Sequence, residues 1–236
     1  MKRYIPNILT LLNLFCALPA IESALAYDFH QTAFWMSLSL LFDFTDGLAA
    51  RAFKSDSQLG VQLDSLADVV SFGVVPSFVL YKQMHIFVPP GDSWLEYSPY
   101  LAFLISLGSA FRLARFNLDQ TQSYDFRGLP TPSSAIFVMG IPFLIEFFGK
   151  EHFRLIYFMP LPVVLFWVMN SNVRLFGFKV RKPDPGIWLK VLFLLLTLVF
   201  LLLLKLAGLS FVILLYVVLS ICFYHPKKIG KNEIQG

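Results

Sequence analysis

The stretch that decides the fold runs from Asp43 to Asp68 and reads DFTDGLAARAFKSDSQLGVQLDSLAD. Four of its acids form two pairs, Asp43 with Asp46 at spacing i, i+3 and Asp64 with Asp68 at spacing i, i+4. In a helix, either spacing places both side chains on one face. The surrounding sequence is strongly apolar, so the stretch predicts two helices that carry acidic patches into apolar surroundings.

The polar run at 54–57 would serve as the turn of an antiparallel helical hairpin. Asp43 and Asp68 would then lie at the same depth, about 12 Å from the turn end of their helices at 1.5 Å per residue. Asp46 and Asp64 would form a second layer nearer the turn. Four converging carboxylates at low dielectric cannot all stay ionised unless cations compensate them. The hairpin therefore predicts a divalent metal site.

Ligation by carboxylate oxygens alone favours the hard cations Mg²⁺ or Mn²⁺, which commonly act on substrate phosphates. Two such ions would balance four carboxylates. An alternative is that the acids pair with arginine for structure or relay protons in an ion-coupled transporter. Gly47, Ala50 and Gly60 lie among the acids and carry little or no side chain. They allow either close helix approach or room for a bulky ligand.

Composition independently indicates an integral membrane protein. Of the 236 residues, 57% are hydrophobic and only 14% are charged, and the mean hydropathy is +0.67. A soluble domain of this length would be far more polar. We expect a single membrane domain over 1–236, an all-α polytopic helix bundle.

Eight segments approach the roughly 20 apolar residues that a hydrocarbon core requires. The predicted spans are 6–26, 31–52, 59–82, 98–117, 132–149, 153–170, 187–206 and 208–225. We expect the catalytic core to occupy about 1–180. The two additional C-terminal spans, about 187–225, contain no polar constellation and are expected to serve as scaffold or dimer surface.

The distribution of basic residues sets the orientation. With the N-terminus in the cytoplasm, the opposite side receives only Lys82, Lys150, Arg154 and Lys205. The positive-inside rule therefore predicts that both termini and the turn of the acidic hairpin face the cytoplasm. In a bacterial cell the protein would lie in the inner membrane. The cytoplasmic segments contain Lys2, Arg3, Arg51, Lys54, Arg112, Arg115, Arg127, Arg174, Lys179, Arg181, Lys182, Lys227, Lys228 and Lys231.

The spacing of the acids and small residues resembles the complete signature of a known family. Asp43-x2-Asp46-Gly47-x2-Ala50-Arg51-x8-Gly60-x3-Asp64-x3-Asp68 matches the CDP-alcohol phosphatidyltransferases at all eight positions. Further stretches resemble one branch, the CDP-diacylglycerol-serine O-phosphatidyltransferases: 5–10, 64–76, 112–117 and 128–132.

The resemblance implies that the chain moves a phosphatidyl group from CDP-diacylglycerol to L-serine and releases CMP. The alternative acceptors within the family are glycerol phosphate, inositol and choline. A homodimer is also implied. By the same resemblance, Asp43, Asp46, Asp64 and Asp68 bind two divalent cations, and the residues that contact CDP-diacylglycerol include Asp43, Asp46, Gly47, Ala50, Arg51 and Gly60.

Three polar residues, Asn7, Thr10 and Asn13, share one face near the cytoplasmic end of the first helix. We expect Asn7 and Thr10 to contact CDP-diacylglycerol. Helix capping and interhelical hydrogen bonding would explain this face equally well.

Arg112 and Arg115 lie one turn apart at a cytoplasmic helix end. Either they extend to the membrane surface, as arginines at helix ends do, or one of them binds an anionic group of the acceptor. We expect them to bind the carboxylate of serine. A serine hydroxyl also needs a general base, and by the family's pattern Asp68 is the acid least committed to metal. We therefore expect Asp68 to take that proton in a one-step transfer.

Overall fold

The computed structural model describes residues 4–53, 57–91, 94–118, 126–177 and 187–223. Within these ranges the chain is mostly helical, as predicted. The helices are α1 Ile5–Leu25, α2 Phe29–Phe53, α3 Gln58–Asp68, α4 Val75–His85, α5 Leu104–Leu118, α6 Thr131–Phe148, α7 Leu155–Phe158, α8 Pro160–Asn170, α9 Ile187–Leu204 and α10 Gly208–Phe223.

Shorter elements connect some of these helices. A π-helical turn, Val69–Val74, joins α3 to α4, and 3₁₀ turns occupy Leu95–Phe103, Lys150–His152 and Lys205–Ala207. Strands β1 Phe126–Arg127 and β2 Arg174–Leu175 pair in antiparallel register. The strand pair was not predicted, because two residues are too few to show a periodic pattern.

Helices occupy all eight predicted segments, and the sixth segment contains both α7 and α8. Several predicted features lie outside the described residues. They are Lys54, Ser55 and Asp56 of the predicted turn and the basic residues Lys2, Arg3, Lys179, Arg181, Lys182, Lys227, Lys228 and Lys231.

Five helical stretches in the described part of the chain are long and apolar enough to cross a membrane. They are Ile5–Leu25, Gln58–His85, Leu95–Leu118, Thr131–Phe148 and Ile187–Phe223. The membrane-spanning character that the composition predicts is thus present in the helices. The count of eight crossings stays a prediction, because α2 carries Asp43, Asp46 and Arg51 and Leu155–Asn170 is short.

The stretch Ile187–Phe223 folds back on itself. The ring of Trp188 near the start of α9 lies 6.1 Å from that of Phe223 at the end of α10, and Phe200 stacks on Phe211 at 5.7 Å. Contacts in that order mean that α9 and α10 are antiparallel. The turn falls at Lys205, which has a φ of 52°.

Helix α1 is the centre of the N-terminal part of the bundle because it packs against α2, α3 and α4. Three fully buried alanines, Ala17, Ala20 and Ala24, line its inner face. Small side chains let helices approach closely where burial of apolar surface provides little driving force, as in a membrane. Helix α1 thereby holds the two acid-bearing helices in place.

The remaining helices extend outward from this centre. Helix α6 packs against α4, and α10 packs against α6, with the Ser210 hydroxyl donating to the Phe137 carbonyl at 2.7 Å. Helix α9 lies outside α10, and its outward side chains, such as Leu202 and Leu203, are about 70% exposed. An apolar outer surface of this kind suits contact with lipid.

Candidate active site

Three of the four predicted metal ligands converge between α2 and α3. One carboxylate oxygen each from Asp43, Asp64 and Asp68 lies within 4.8 Å of the other two. Asp43 and Asp68 are therefore neighbours across the two helices, as their predicted equal depth requires. We call these three residues the acid cluster.

Asp46 lies beside the acid cluster but outside it. Its side chain is buried and accepts a 2.7 Å hydrogen bond from the Thr10 hydroxyl of α1. Asp46 and Asp64 line the same groove, but Asp64 also lies with Asp43 and Asp68, so the predicted second layer of Asp46 and Asp64 is not separate from the first. In this structure the fourth acid is therefore held by α1 and not by the other three acids.

The acid cluster has the properties of a cation site. Among the described residues, no lysine or arginine lies within ion-pair distance of its carboxylates, and Arg112 acts on Asp68 only from farther away. Grouped carboxylates without a countercharge are costly at low dielectric. Oxygen ligands alone suit Mg²⁺ or Mn²⁺. Asp43, Asp64 and Asp68 thus fit the role of holding divalent cations, with Asp46 adjacent.

A groove with a cavity volume of about 120 Å³ opens from the acids toward the start of α3. It is lined by Pro6, Asn7, Thr10, Asp46, Gly47, Ala50, Ser57, Gly60, Val61 and Asp64. All the residues predicted to contact CDP-diacylglycerol line it except Asp43, which lies in the acid cluster, and Arg51. The Arg51 side chain is exposed in the last turn of α2, outside the lining.

The small residues of the motif open this groove. A Cβ added to Gly47 would meet nothing within 4 Å, whereas one added to Gly60 would lie 3.3 Å from the Asn7 side-chain oxygen. Along the described residues, α2 and α3 are not closely packed on each other. The glycines could serve close helix approach or leave room for a ligand. At Gly47 the structure shows open space, which fits room for a ligand.

Ser57 starts α3 and fixes one wall of the groove. Its side-chain oxygen accepts a hydrogen bond from the backbone N–H of Gly60 at 3.0 Å, which is the usual arrangement of a serine N-cap. The predicted turn therefore ends at Ser57, and the helix that carries Asp64 and Asp68 begins at the next residue.

Asn13 connects the acid cluster to three helical elements. Its side chain is completely buried, and its amide oxygen accepts hydrogen bonds from Ser39 of α2 and from Ser71, the latter at 2.7 Å. The amide N–H₂ faces Asp68, whose carboxylate oxygen lies 3.5 Å away. Because an ionised carboxylate only accepts, this contact assigns the nitrogen, and the two hydroxyls then donate to the amide oxygen. For Asn13, interhelical hydrogen bonding is the alternative observed.

The π-helical turn places Ser71 toward Asn13. It follows Asp68 directly, and single π turns are frequent at functional sites. Gly73 in the same turn approaches α5 so closely that an added Cβ would lie 2.9 Å from the Cβ of Ser109. Close contact on both sides thus holds the chain rigidly just after Asp68.

A second pocket, with a cavity volume of about 20 Å³, contains Arg112 and Arg115. We call it the arginine pocket; it is lined by Arg112, Arg115, Phe116, Arg127, Met169, Asn170 and Ser171. Arg112 is only 9% exposed, which excludes simple extension to the membrane surface. Arg115 is exposed and donates to the Asn170 carbonyl at 3.4 Å and to the Asn172 side-chain oxygen at 3.1 Å.

The strand pair closes the arginine pocket. Gly128 follows Arg127 with a φ of +71°, and a side chain there would collide with the carbonyl of Met169. The backbone N–H of Leu129 donates to the Val168 carbonyl at 3.1 Å. Glycine is required at this position for both its backbone conformation and the close approach. The segment that carries Arg127 is thereby packed against the end of α8.

Three polar residues near the candidate site were missed by the sequence reasoning. Ser39 and Ser71 complete the Asn13 network, and Asn170 faces the arginine pocket. A polar side chain in an apolar helix is a general signal that was present at each position. Nothing in local spacing links Asn170 to Arg112, because they lie on different helices.

Clustered carboxylates at a groove between apolar helices, with a buried arginine nearby, are typical of a membrane enzyme that handles a phosphate-bearing substrate through divalent cations. Comparison with known proteins gives the family. The model for CDP-alcohol phosphatidyltransferase matches residues 3–170. The chain belongs to the CDP-alcohol phosphatidyltransferase family, as the motif predicted.

Curated relatives carry a more specific name. A CDP-diacylglycerol-serine O-phosphatidyltransferase of Helicobacter pylori is 33% identical over 203 residues, covering 83% of this chain and 81% of the relative. Proteins of the same name from Bacillus subtilis and Saccharomyces cerevisiae are 34% and 29% identical. The matches cover 59% and 76% of this chain, and 76% and 71% of those relatives.

Proposed function

We propose that this protein transfers a phosphatidyl group from CDP-diacylglycerol to L-serine, forming phosphatidylserine and CMP. The observation that carries the proposal is the acid cluster at the end of a groove lined by the family's motif residues. The names of the curated relatives support serine as the acceptor.

The proposed membrane arrangement has eight spans in one domain, with both termini in the cytoplasm. The antiparallel packing of α9 on α10 supports counting Ile187–Phe223 as two spans. Helix α2 counts as a span because its acids face α1 and the groove. The core of about 1–180 is catalytic, and the α9–α10 hairpin is scaffold or the surface of a homodimer.

The groove is the proposed site for the nucleotide of CDP-diacylglycerol. Asn7, Thr10, Gly47, Ala50 and Gly60 line it, and the free space beside Gly47 supports entry of a bulky group. Arg51 would meet the substrate from the exposed end of α2. The acyl chains would remain in the bilayer, since a large apolar surface is stable only there.

Asp43, Asp46, Asp64 and Asp68 are the proposed ligands of two divalent cations, Mg²⁺ or Mn²⁺. When bound, these ions would neutralise the diphosphate and stabilise the charge on departing CMP. Thr10 and Asn13 hold Asp46 and Asp68 from the α1 side. This leaves the carboxylates oriented before the substrate arrives.

The arginine pocket is the proposed site for serine. Arg112 and Arg115 would bind the carboxylate, since a guanidinium matches a carboxylate with two parallel N–H groups. Helix α5, which carries Arg112, packs against α3 and against the π-helical turn that follows Asp68, which supports a pocket close to the acid cluster. Serine held there would present its hydroxyl toward Asp68.

The reaction is a single displacement at the β-phosphorus. The serine oxygen forms a bond to that phosphorus while Asp68 takes the hydroxyl proton, and the bond from the phosphorus to the CMP oxygen breaks. A carboxylate base is needed because a serine hydroxyl is a poor nucleophile at neutral pH. CMP leaves with the electron pair of the broken bond.

Release of CMP by the purified protein tests the proposal. The reaction should require CDP-diacylglycerol, serine and either Mg²⁺ or Mn²⁺, and chelation should stop it. Glycerol phosphate, inositol and choline are the comparison acceptors at matched concentration. Turnover with one of them in place of serine would reassign the acceptor, and absence of CMP release with every acceptor would favour the ion-transport alternative.

A further inference from the structure

The arginine pocket contains two buried polar atoms of opposite hydrogen-bonding character. The Nε of Arg112 is a donor and the side-chain oxygen of Asn170 is an acceptor, and neither has a hydrogen-bond partner in the described part of the protein. Both residues line the same pocket. An unsatisfied buried polar group is destabilising, so such groups call for an explanation.

The amide of Asn170 is held in one orientation. Its N–H₂ group donates to the Phe166 carbonyl at 2.9 Å and to the Gly108 carbonyl at 3.2 Å. Since carbonyls only accept, the nitrogen must face them and the oxygen must face elsewhere. The position of the Asn170 side-chain oxygen, a hydrogen-bond acceptor, is thus fixed by α5 and α8.

The arginines, in contrast, present hydrogen-bond donors that need an acceptor. The guanidinium of Arg112 is buried with its Nε unpaired, and Arg115 donates to the backbone carbonyl of the same Asn170. A molecule that pairs both atoms must bring an acceptor for the guanidinium Nε and a donor for the amide oxygen. A water can do both, but an anionic acceptor also matches the charge of the guanidinium. The two charged groups of an α-amino acid have these properties.

We propose that Asn170 determines acceptor specificity by accepting a hydrogen bond from the ammonium group of serine while Arg112 binds the serine carboxylate. This rests on the proposed function and adds how the amino acid is recognised. Choline has no N–H to donate, and inositol and glycerol phosphate have no ammonium. The amide oxygen would therefore disfavour choline, which has no N–H, and would favour serine over inositol and glycerol phosphate because a charged donor makes the stronger hydrogen bond.

Two fragments of serine test the two contacts separately. Ethanolamine keeps the ammonium and hydroxyl but lacks the carboxylate, and 3-hydroxypropionate keeps the carboxylate and hydroxyl but lacks the ammonium. Each is used to compete with labelled serine, and formation of labelled phosphatidylserine is measured, because the hydroxyl of either fragment could itself release CMP. The variant is Asn170→Ser, because a serine hydroxyl can donate to the carbonyl four residues earlier, as Ser77 does to Gly73.

Asn170→Ser should raise the KM for serine and the inhibition constant for ethanolamine by about tenfold or more, the usual effect of losing a hydrogen bond to a charged group. The inhibition constant for 3-hydroxypropionate and the KM for CDP-diacylglycerol should not change. Arg112→Gln should have the opposite effect: the inhibition constant for 3-hydroxypropionate should rise and that for ethanolamine should not change. Ser77→Ala, a buried serine that lies outside the pocket lining, is the matched control and should change none of them.

Equal weakening of serine and both fragments in Asn170→Ser would overturn the inference, because it would mean that Asn170 only supports the fold or binds a structural water. Unchanged serine and ethanolamine constants would overturn it as well. Absence of serine-dependent CMP release from the wild-type protein would instead reject the proposed function.

If Asn170→Ser does not fold, Asn170→Asp gives an independent result. It keeps an acceptor oxygen and adds negative charge, so ethanolamine binding should be retained and 3-hydroxypropionate binding should weaken. Loss of ethanolamine binding in a folded Asn170→Asp protein would contradict the inference.

Discussion

The acid cluster and the arginine pocket are assembled in different ways. The acids come from one short stretch that folds into two consecutive helices, and their partners Thr10 and Asn13 lie on the neighbouring α1. The arginine pocket combines α5, β1 and the end of α8, and its hydrogen bond between Arg115 and Asn170 joins residues 55 apart in sequence.

The two regions also differ in charge, and each lacks a partner that a ligand could supply. The acid cluster receives neutral hydrogen-bond donors, which leave its negative charge uncompensated. The arginine pocket has an unpaired donor and an unpaired acceptor. The acid cluster is therefore suited to cations, and the arginine pocket to a molecule that carries both a hydrogen-bond donor and an acceptor.

Removing one acid should give the largest effect. Asp64→Asn or Asp46→Asn should reduce CMP release below detection and weaken Mn²⁺ binding, because a neutral amide replaces a charged ligand. Mn²⁺ titration followed by electron paramagnetic resonance measures the binding directly. The melting temperature should not fall, since neutralising clustered acids relieves repulsion. Full activity of Asp46→Asn in metal-stripped buffer would reject the binuclear site.

The Asn13 network should give the next largest effect. Asn13→Ala removes the donor that faces Asp68, so we expect kcat to fall about 10- to 100-fold and Mn²⁺ affinity to fall with it, as for other groups that orient metal ligands. The KM for serine should change little. Ser77→Ala, a buried serine on α4 away from the acids, is the control. If Asn13→Ala and Ser77→Ala lowered kcat and Mn²⁺ affinity equally, the Asn13 network would only support packing.

A smaller and more selective effect is expected in the arginine pocket. Arg115→Ala should raise the KM for serine about tenfold, by loss of a charge-assisted contact, and leave the KM for CDP-diacylglycerol nearly unchanged. Steady-state kinetics with each substrate varied in turn separate the two constants. Equal effects on both substrates would place Arg115 outside the serine site.

Cysteine labelling reports the orientation of the chain in the membrane and is scored by modification alone. A single cysteine introduced by Ser57→Cys, in a background where Cys16 and Cys222 are replaced, lies where the predicted turn meets α3. An impermeant maleimide should modify it from the cytoplasmic side of inverted vesicles but not from outside intact cells. Modification from outside would reverse the proposed topology.

Most of the acid site could be predicted from the sequence because its geometry is local. Spacings of three and four residues place Asp43 with Asp46 and Asp64 with Asp68, and apolar surroundings force the pairs together. The position of Asp46 outside the cluster could not be predicted, because it depends on one hydrogen bond from Thr10.

The composition of the arginine pocket could not be predicted from the sequence. Arg112 was recognised as a candidate, but its burial and the role of Asn170 depend on how α5 packs against α8. Long-range packing of this kind leaves no periodic signal in either helix. The two-residue strands that close the pocket are equally invisible to pattern analysis.

The stereochemical course at phosphorus tests the central claim, that groups from both regions act on one direct transfer. CDP-diacylglycerol with a chiral thiophosphate at the β-position would be converted with serine, and the configuration of the product determined. A single attack by the serine hydroxyl predicts inversion. Retention, which requires two displacements through a phosphatidyl-enzyme intermediate, would contradict the account.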